Sequence, residues 1–200
     1  SEDGKTGEWL RGPGKKLTDA INMVIGDTKI IAEDLGIFVP EVKELLEETG
    51  YPGMKIIEFA FSGDRFNEHL PHMYSPNSVV YGGTHDNETL LGWYGDITPE
   101  ERHMVREYLW NFHDDEKGIC RNMIRLVMGS VAGRCIIPIQ DYLQLDNSAR
   151  INQPSTLGTN WKWRLKEGQF SKELQKEMLT LATRFGRKNW TPDPLEEKME

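Results

Sequence analysis

The stretch that decides the fold is Val79-Val80-Tyr81-Gly82-Gly83-Thr84-His85-Asp86-Asn87, in which an apolar β-branched run gives way to two glycines and then to an acid. An earlier stretch, Lys29-Ile30-Ile31-Ala32-Glu33-Asp34-Leu35-Gly36, has the same form. In a parallel barrel, strands end at one mouth, where the following loops present catalytic groups. Glu33 and Asp86 are 53 positions apart, which accommodates two βα units of about 25–30 residues each. We therefore expect both acids to face the same mouth.

Strand-like and helix-like segments alternate along the rest of the chain. Apolar β-forming runs predict strands at residues 29–32, 54–61, 79–81 and 135–141. Capping residues and apolar residues at helical spacing predict helices at residues 17–25, 40–48, 98–112, 119–130 and 171–187. This alternation predicts a parallel sheet with helices outside it. A complete (β/α)8 barrel takes about 250 residues, so we expect the 200 residues to be a piece of one.

The composition narrows the class of protein. An apolar content of 38% is enough for a core, and the net charge of −8 argues against nucleic acid or an anionic membrane surface as the main partner. No apolar run approaches the roughly 20 residues that span a bilayer, and no secretory signal is visible. We predict a cytoplasmic protein, in which Cys120 and Cys135 are free thiols because neither has a CxxC neighbour.

Glu33 is the first candidate for chemistry. A strand-end acid is ordinarily a solvated side chain or a cap of the next turn. Here Asp34 is adjacent, Gly36 leaves room for a substrate, and a second strand-end acid recurs downstream. A glutamic acid near other carboxylates at an enclosed mouth has a raised pKa and is able to donate a proton to a glycosidic oxygen.

Asp86 is the second candidate. The two glycines before it allow a sharp turn and leave room for a ligand. His85, Asp86 and Asn87 together offer hydrogen-bond donors and an acceptor suited to sugar hydroxyls. The alternative is a cap for the helix that follows, which is compatible with binding. Spacing alone also leaves Asp86 open as the nucleophile of a retaining pair.

The other motifs of the sequence give weaker indications of function. His69 and His72 are separated by two residues, but no third ligand follows closely, so we predict no metal site there. No dinucleotide fingerprint, P-loop or esterase elbow occurs. Among the six tryptophans, Trp93 follows the Asp86 turn and is the best candidate to line a cleft, whereas Trp161 and Trp163 alternate as on a strand.

Taken in order, many short blocks of the chain resemble the 4-α-glucanotransferases called amylomaltases or disproportionating enzymes. The resemblance runs from about Trp9 to Leu181. Its blocks are Ile31–Gly36, Pro52–Met54, Phe59–Phe61, Leu70–Tyr74, Gly83–Asn87, Gly92-Trp93, Gln140–Leu143, Arg150–Pro154 and Asn160–Arg164. Each block alone is weak evidence, but so many in the same order are highly specific.

This resemblance implies a fold and a reaction. The fold is an α-amylase-like (β/α)8 barrel, with residues 1–190 as the C-terminal portion of one catalytic domain and 191–200 as a tail. The reaction is retaining transfer of an α-1,4-glucan segment to the 4-hydroxyl of glucose or another glucan, without cofactor or metal. Glu33 is implied as the general acid/base and Asp86 as the stabiliser of the oxocarbenium-like transition state. The implied substrate-binding residues are His85, Asn87, Trp93, Asp64 and Asn152.

Two departures from the family pattern qualify these implications. The family's nucleophile is an aspartate in an Arg-x-Asp block, which this sequence lacks, so we expect the isolated chain to be unable to complete transfer. Many relatives have Asp after Phe-Ala-Phe, where this chain has Ser62, and Asp64 is the possible substitute. The alternatives are an α-glucan hydrolase and a non-catalytic carbohydrate-binding fragment. The expected partners are maltooligosaccharides and other α-1,4-glucans, with the oligomeric state left open.

Overall fold

The computed structural model describes residues 10–26, 30–36 and 39–188. The chain divides into two compact units, Ser1–Met54 and Lys55–Glu200. The predicted tail at 191–200 lies outside the described residues. No helix in the described part of the chain combines the length and apolar character needed to cross a bilayer.

The first unit contains two helices, α1 (Lys15–Ile25) and α2 (Pro40–Thr49). Proline suits the first position of α2 because the N–H it lacks has no partner there. Gly50 ends α2 in the left-handed conformation, with φ of 67°, where glycine avoids the strain of a β-carbon. Both helices confirm the sequence prediction to within two residues.

The strand predicted at 29–32 is wrong for its described part, since residues 30–36 form no strand, while Lys29 lies outside the described residues. Two separate hydrogen bonds hold this segment, in place of a regular ladder of hydrogen bonds between strands. The Ala32 N–H donates to the Pro52 carbonyl at 3.0 Å. The Asp34 carboxylate accepts the Met54 N–H at 2.7 Å, so a side chain takes the place of a strand carbonyl.

Three strands of the described residues form one sheet in the order β1 (Gly53–Ile56), β2 (Ser78–Tyr81) and β3 (Arg134–Ile136). β2 and β3 are parallel, with Val79 opposite Arg134 and Tyr81 opposite Ile136. This confirms the predicted parallel pairing for these two strands. Because the strands are parallel, the loops that follow them leave from the same edge of the sheet.

Two predicted strands are shorter than expected. The run at 54–61 leaves the sheet after Ile56 and forms a single 3-10 turn at Ile57–Phe59. The run at 135–141 leaves it after Ile136, because Pro138 has no N–H for a ladder and serves instead as the N-cap of the short helix α6 (Ile139–Tyr142).

The remaining helices are α3 (Leu90–Asp96), α4 (Pro99–Leu109), α5 (Glu116–Met128) and α7 (Lys172–Arg184). Each begins at a side-chain cap that accepts a backbone N–H; the caps are Thr89, Thr98, Asp115 and Ser171. The sequence prediction missed α3. It also extended α4 to 112, although that helix ends at Trp110 in the left-handed conformation.

The core lies between the sheet and these helices. Residues from β2, α3, α4, α5 and α7 meet in it, among them Val80, Leu90, Trp93, Tyr94, Val105, Met123, Val127 and Leu181. Arg187, after α7, donates to the carbonyls of Met128, Ser130 and Ala132 at 2.6–3.0 Å. These bonds fasten α7 to the segment that leads into β3.

Candidate functional site

The loop Gly82–Glu88 follows β2 and presents the site. The Asn87 side-chain oxygen accepts hydrogen bonds from the Thr84 N–H at 2.9 Å and the Thr84 hydroxyl at 2.6 Å. A backbone bond from Asn87 N–H to the Thr84 carbonyl closes the same turn at 3.3 Å. This turn leaves His85 and Asp86 at its apex, with their side chains 50% and 48% exposed.

One oxygen of Asp86 is held and the other is open. Oδ1 accepts a hydrogen bond from the Asn152 amide at 2.6 Å and lies 3.3 Å from His85 Nε2. Within the described part of the chain, no group donates to Oδ2. The carboxylate is thus oriented through one oxygen while the other is free to accept from a ligand hydroxyl.

Arg150 fixes the backbone around this carboxylate. Its guanidinium donates to the Asp86 carbonyl at 2.6 Å through Nη2 and to the Asn152 carbonyl at 2.9 Å through Nε. The Asn152 N–H in turn donates to the His85 carbonyl at 3.1 Å. The planar guanidinium of arginine suits such double contacts. The segments 85–86 and 150–152 are therefore held together by these hydrogen bonds.

The aromatic residue beside these segments is Trp161. Its ring lies 5.2 Å from the His85 ring at a 35° tilt, and the residue is 56% exposed. The backbone N–H of Trp161 donates to the Ile151 carbonyl at 2.7 Å. Its φ of 64° excludes the strand predicted for Trp161 and Trp163. The exposed indole of Trp161 thus lies beside His85, whose ring nitrogen is next to the Asp86 carboxylate.

Trp93, the tryptophan favoured by the sequence, lies elsewhere. It is 8% exposed and packs in the core, with ring centroids 6.2 Å from Phe61 and 6.5 Å from Tyr94. The structure therefore brings His85, Asp86 and Asn152 together but does not join Trp93 to them. Its role in lining a cleft stays a prediction.

Two buried acids lie beneath the double glycine of this loop. A β-carbon on Gly82 would stand 2.8 Å from Asp141 Oδ2, and one on Gly83 would stand 2.7 Å from Glu58 Oε1. Both of these oxygens are buried and accept no hydrogen bond within the described part of the chain. The other oxygen of Asp141 accepts the Leu90 N–H at 2.9 Å. The two glycines are thus required by close approach, whatever their backbone angles.

Burial changes the protonation of both acids. It raises the pKa of Glu58 well above its ordinary value, and the negative charges of Asp141 and Glu88 raise it further. Arg150 and the Asn87 side chain act in the opposite direction but are weaker. Burial also raises the pKa of Asp141 to about 7, against a smaller lowering by the Leu90 hydrogen bond. Burial therefore favours the neutral form of both carboxyl groups under the loop.

Two further residues were predicted for the site, Glu33 and Asp64. Glu33 belongs to the first unit, where its side chain is exposed. Asp64 follows the 3-10 turn after β1, and its carboxylate accepts the Phe66 N–H at 2.9 Å. It borders a cavity of about 440 Å³ together with Phe61 and Tyr108. The catalytic role of Glu33 and the binding role of Asp64 stay predictions.

The histidines and cysteines considered for metal binding or nucleophilic chemistry are hydrogen-bonded or buried within the fold. His69 Nδ1 accepts a backbone N–H from β1 at 3.1 Å, and His72 Nδ1 lies 3.0 Å from the Tyr108 hydroxyl. In the described residues, no three His, Cys, Asp or Glu side chains are grouped to hold a metal ion. Cys120 and Cys135 are free thiols, as predicted. Burial raises their pKa to about 12 and about 11, which suits packing better than nucleophilic chemistry.

Sequence reasoning missed four residues that shape the site: Arg150, Trp161, Glu58 and Asp141. For Arg150, Trp161 and Asp141 a signal existed, because all three lie in blocks that carry the family resemblance. Glu58 stood inside an apolar run, where an acid without a partner of its own is unusual. Asp141 followed Pro138 at a strand end, which is the position already used to select Glu33 and Asp86.

The family model and the curated relatives that match this sequence carry the same description. A family model described as 4-alpha-glucanotransferase matches residues 1–171. A 4-alpha-glucanotransferase of Clostridium butyricum is 46% identical over 185 residues, covering 92% of this chain. One of Streptococcus pneumoniae is 44% identical over 191 residues, covering 94% of it. The chain spans 37% of the length of each relative.

A solved structure agrees with these sequence matches. An amylomaltase from Streptococcus agalactiae in complex with acarbose superposes with a TM-score of 0.84 at 34% identity. The match covers 92% of this chain and 37% of that one. It therefore extends over nearly all of the chain while leaving most of the longer protein unmatched.

Proposed function

Because this chain belongs to the 4-alpha-glucanotransferase family, we propose that it supplies the acid/base and transition-state-stabilising part of a retaining α-1,4-glucan transfer. The observation that carries the proposal is the Asp86 carboxylate, which is held through Oδ1 by Asn152 and His85 and leaves Oδ2 open. Such an oriented, half-free carboxylate suits recognition of sugar hydroxyls next to a developing positive charge.

The first step of the proposed reaction breaks the donor glucan. Glu33, protonated, donates its proton to the glycosidic oxygen as the bond from that oxygen to the anomeric carbon breaks. The anomeric carbon is attacked by an aspartate from an Arg-x-Asp block, which this sequence does not contain. The donor segment is then held as a glycosyl ester, and the remainder of the glucan leaves with the proton.

In the second step, Glu33 acts as a base. Its carboxylate takes the proton from the 4-hydroxyl of an acceptor sugar, whose oxygen attacks the anomeric carbon and breaks the ester. Two inversions give net retention, which defines this reaction class. Since no nucleophile of this kind is present in the sequence, we propose that the isolated 200-residue chain does not complete either step.

Asp86 acts on the charged transition state in both steps. Its open oxygen accepts hydrogen bonds from sugar hydroxyls, and its charge stabilises the oxocarbenium-like ring. His85 and Asn152 bind the sugar beside it, and the Asn87 amide fixes the turn. Trp161 supplies the apolar wall that a sugar ring packs against, because it is exposed beside His85. Trp93 and Asp64 are proposed to contribute at a greater distance.

The proposed substrates are maltooligosaccharides and other α-1,4-glucans. The amylomaltase with high structural similarity was solved with acarbose, which supports an oligosaccharide-binding site of this kind. We also propose that the parallel strands β2 and β3 belong to an α-amylase-like (β/α)8 barrel, with residues 1–190 as its C-terminal portion. A cytoplasmic location and the absence of nucleic-acid and membrane partners stay predictions from the composition.

The test replaces Glu33 by Gln in the complete transferase that contains this chain, with maltotriose as substrate. General acid–base help contributes about 10²–10⁴-fold to a rate, so transfer should fall by that factor. The matched control is Glu100→Gln, an exposed acid on α4, which should leave the rate unchanged. A ladder of longer oligosaccharides identifies transfer, whereas shorter products alone identify hydrolysis. Unchanged turnover in Glu33→Gln would exclude the acid/base role.

A further inference from the structure

Glu58 lies directly beneath the loop that carries Asp86. Its Oε1 is 2.7 Å from the point where a Gly83 β-carbon would stand. The Asn87 β-carbon and the Glu88 carbonyl oxygen are 3.0 Å and 3.2 Å from the same point. The Glu58 carboxyl group, the start of the turn and the end of the turn therefore converge on one side of Gly83. A change in the size or charge of that carboxyl group is transmitted to both ends of the turn.

The charges that face Glu58 connect it to Asp86. Asp141 and Glu88 are the acids around it, and Arg150 is the base. Arg150 Nη1 lies 4.0 Å from Glu88 Oε1, while the same guanidinium holds the carbonyls of Asp86 and Asn152. An added negative charge at Glu58 attracts Arg150, which fixes the Asp86 backbone.

We propose that Glu58 is a positioning residue for Asp86: its buried carboxyl group holds the Gly83–Glu88 loop, and with Arg150 it keeps the Asp86 carboxylate in the orientation used for catalysis. This inference rests on the proposed function for the meaning of that orientation. Glu58 itself is buried and does not contact substrate, so it acts through the loop.

The neutral form of Glu58 does the positioning. When Glu58 is protonated, Arg150 keeps its contact with Glu88 and its hydrogen bonds to the Asp86 and Asn152 carbonyls. An ionised one places a third negative charge beside Asp141 and Glu88 with Arg150 as the nearby counterion, and Arg150 then shifts toward Glu58. The hydrogen bonds to the Asp86 and Asn152 carbonyls weaken as a result, and Oδ1 of Asp86 loses its fixed partners.

The proposal is tested by NMR titration of the 200-residue chain between pH 5 and pH 9. The backbone amide of Asp86 and the Nε–H of Arg150 are followed in the wild-type chain and in Glu58→Gln, which keeps the shape but cannot ionise. In the wild type, both signals should follow two ionisations, those of Glu58 and of its neighbour Asp141. Glu58→Gln should leave only the ionisation of Asp141. The same titration in both proteins would overturn the proposal.

A second variant keeps the test decisive if Glu58→Gln fails to fold. Glu88→Gln removes one of the negative charges that hold the proton on Glu58, so the midpoint seen at Asp86 should move to lower pH. A midpoint that does not move would show that Glu58 is not the group sensed by the loop. Glu100→Gln, an exposed acid on α4, is the matched control and should leave the midpoint unchanged.

Kinetics of the complete transferase then separate positioning from simple packing. In the wild type, kcat should fall about tenfold per pH unit above the Glu58 midpoint, with little change in KM. Glu58→Gln should remove the part of that decline that follows the Glu58 midpoint and leave the part due to the general acid Glu33. A merely structural role would lower activity equally at every pH. If the NMR coupling is present but no transfer occurs, the proposed function fails while the loop coupling stands. If transfer occurs without the coupling, the positioning role fails alone.

Discussion

The buried carboxyl group of Asp141 should make the stability of the fold depend on pH in a defined direction. Burial raises the pKa of Asp141 from 3.8 to about 7, and the residue is 2% exposed. Between these values, the folded chain holds a proton that the unfolded chain releases. The stabilisation is complete below about pH 4 and is lost as the pH rises through 7. A difference of about 3 units at 1.36 kcal/mol each gives about 4 kcal/mol.

The variant that isolates this effect is Asp141→Asn, which keeps the shape and an oxygen for the Leu90 N–H but cannot ionise. We expect the free energy of unfolding of the variant, relative to wild type, to rise by about 4 kcal/mol between pH 4 and pH 8. Any constant cost of the substitution cancels in this comparison. Because the charge of Asp141 also raises the pKa of Glu58, the same pair of proteins is compared in a Glu58→Gln background, where Glu58 cannot titrate.

The assay is urea unfolding followed by tryptophan fluorescence and circular dichroism at each pH. Coincident transitions and equal denaturant slopes for the two proteins are required for the comparison. Glu100→Gln, with its acid exposed on α4, should show no pH-dependent difference from wild type. A stability difference between Asp141→Asn and wild type that stays constant from pH 4 to pH 8 would refute the reasoning.

Two further predictions concern packing and binding. Gly92→Ala places a methyl group against the Asn147 carboxamide and should lower the free energy of unfolding by about 1–3 kcal/mol. Gly95→Ala, on the same helix with open space around it, should raise the free energy of unfolding by up to about 1 kcal/mol. Equal shifts of the thermal unfolding midpoint in the two variants would contradict this. Trp161→Ala should weaken maltooligosaccharide binding severalfold, since the apolar surface buried between the indole and a sugar ring contributes about 25 cal/mol per Å². Replacing another exposed tryptophan, Trp110→Ala, should not weaken binding, and calorimetric titration of both variants distinguishes them.

The five longer helices of the described residues were predictable from this sequence because their signals are local, whereas the short helices α3 and α6 were missed. Pro40 and Gly50 mark the ends of α2 within a ten-residue window, and Thr98 with Pro99 marks the start of α4. Strand ends were not predictable, since the apolar run through Ile57 reads the same whether the chain continues in the sheet or forms a 3-10 turn. That choice is made by packing and not by the local pattern.

The candidate site was predictable in its loop and not in its surroundings. The double glycine followed by His85 and Asp86 carries its own signal, because glycine before polar groups indicates a turn that leaves room for a ligand. Arg150 is 64 positions from Asp86, so only the folded chain reveals their contact. Similarly, nothing in the sequence separates a core tryptophan such as Trp93 from an exposed one such as Trp161.

The paired glycines at 82 and 83 have a consequence for combinatorial mutagenesis of the proposed site. Any side chain at either position would collide with a buried oxygen of Asp141 or Glu58, so randomising these two codons fills a library with misfolded members. Randomisation confined to Trp161, which is exposed beside His85, varies the surface next to the proposed site and leaves His85, Asp86 and the buried acids unchanged. A selection designed in this way screens recognition instead of foldability.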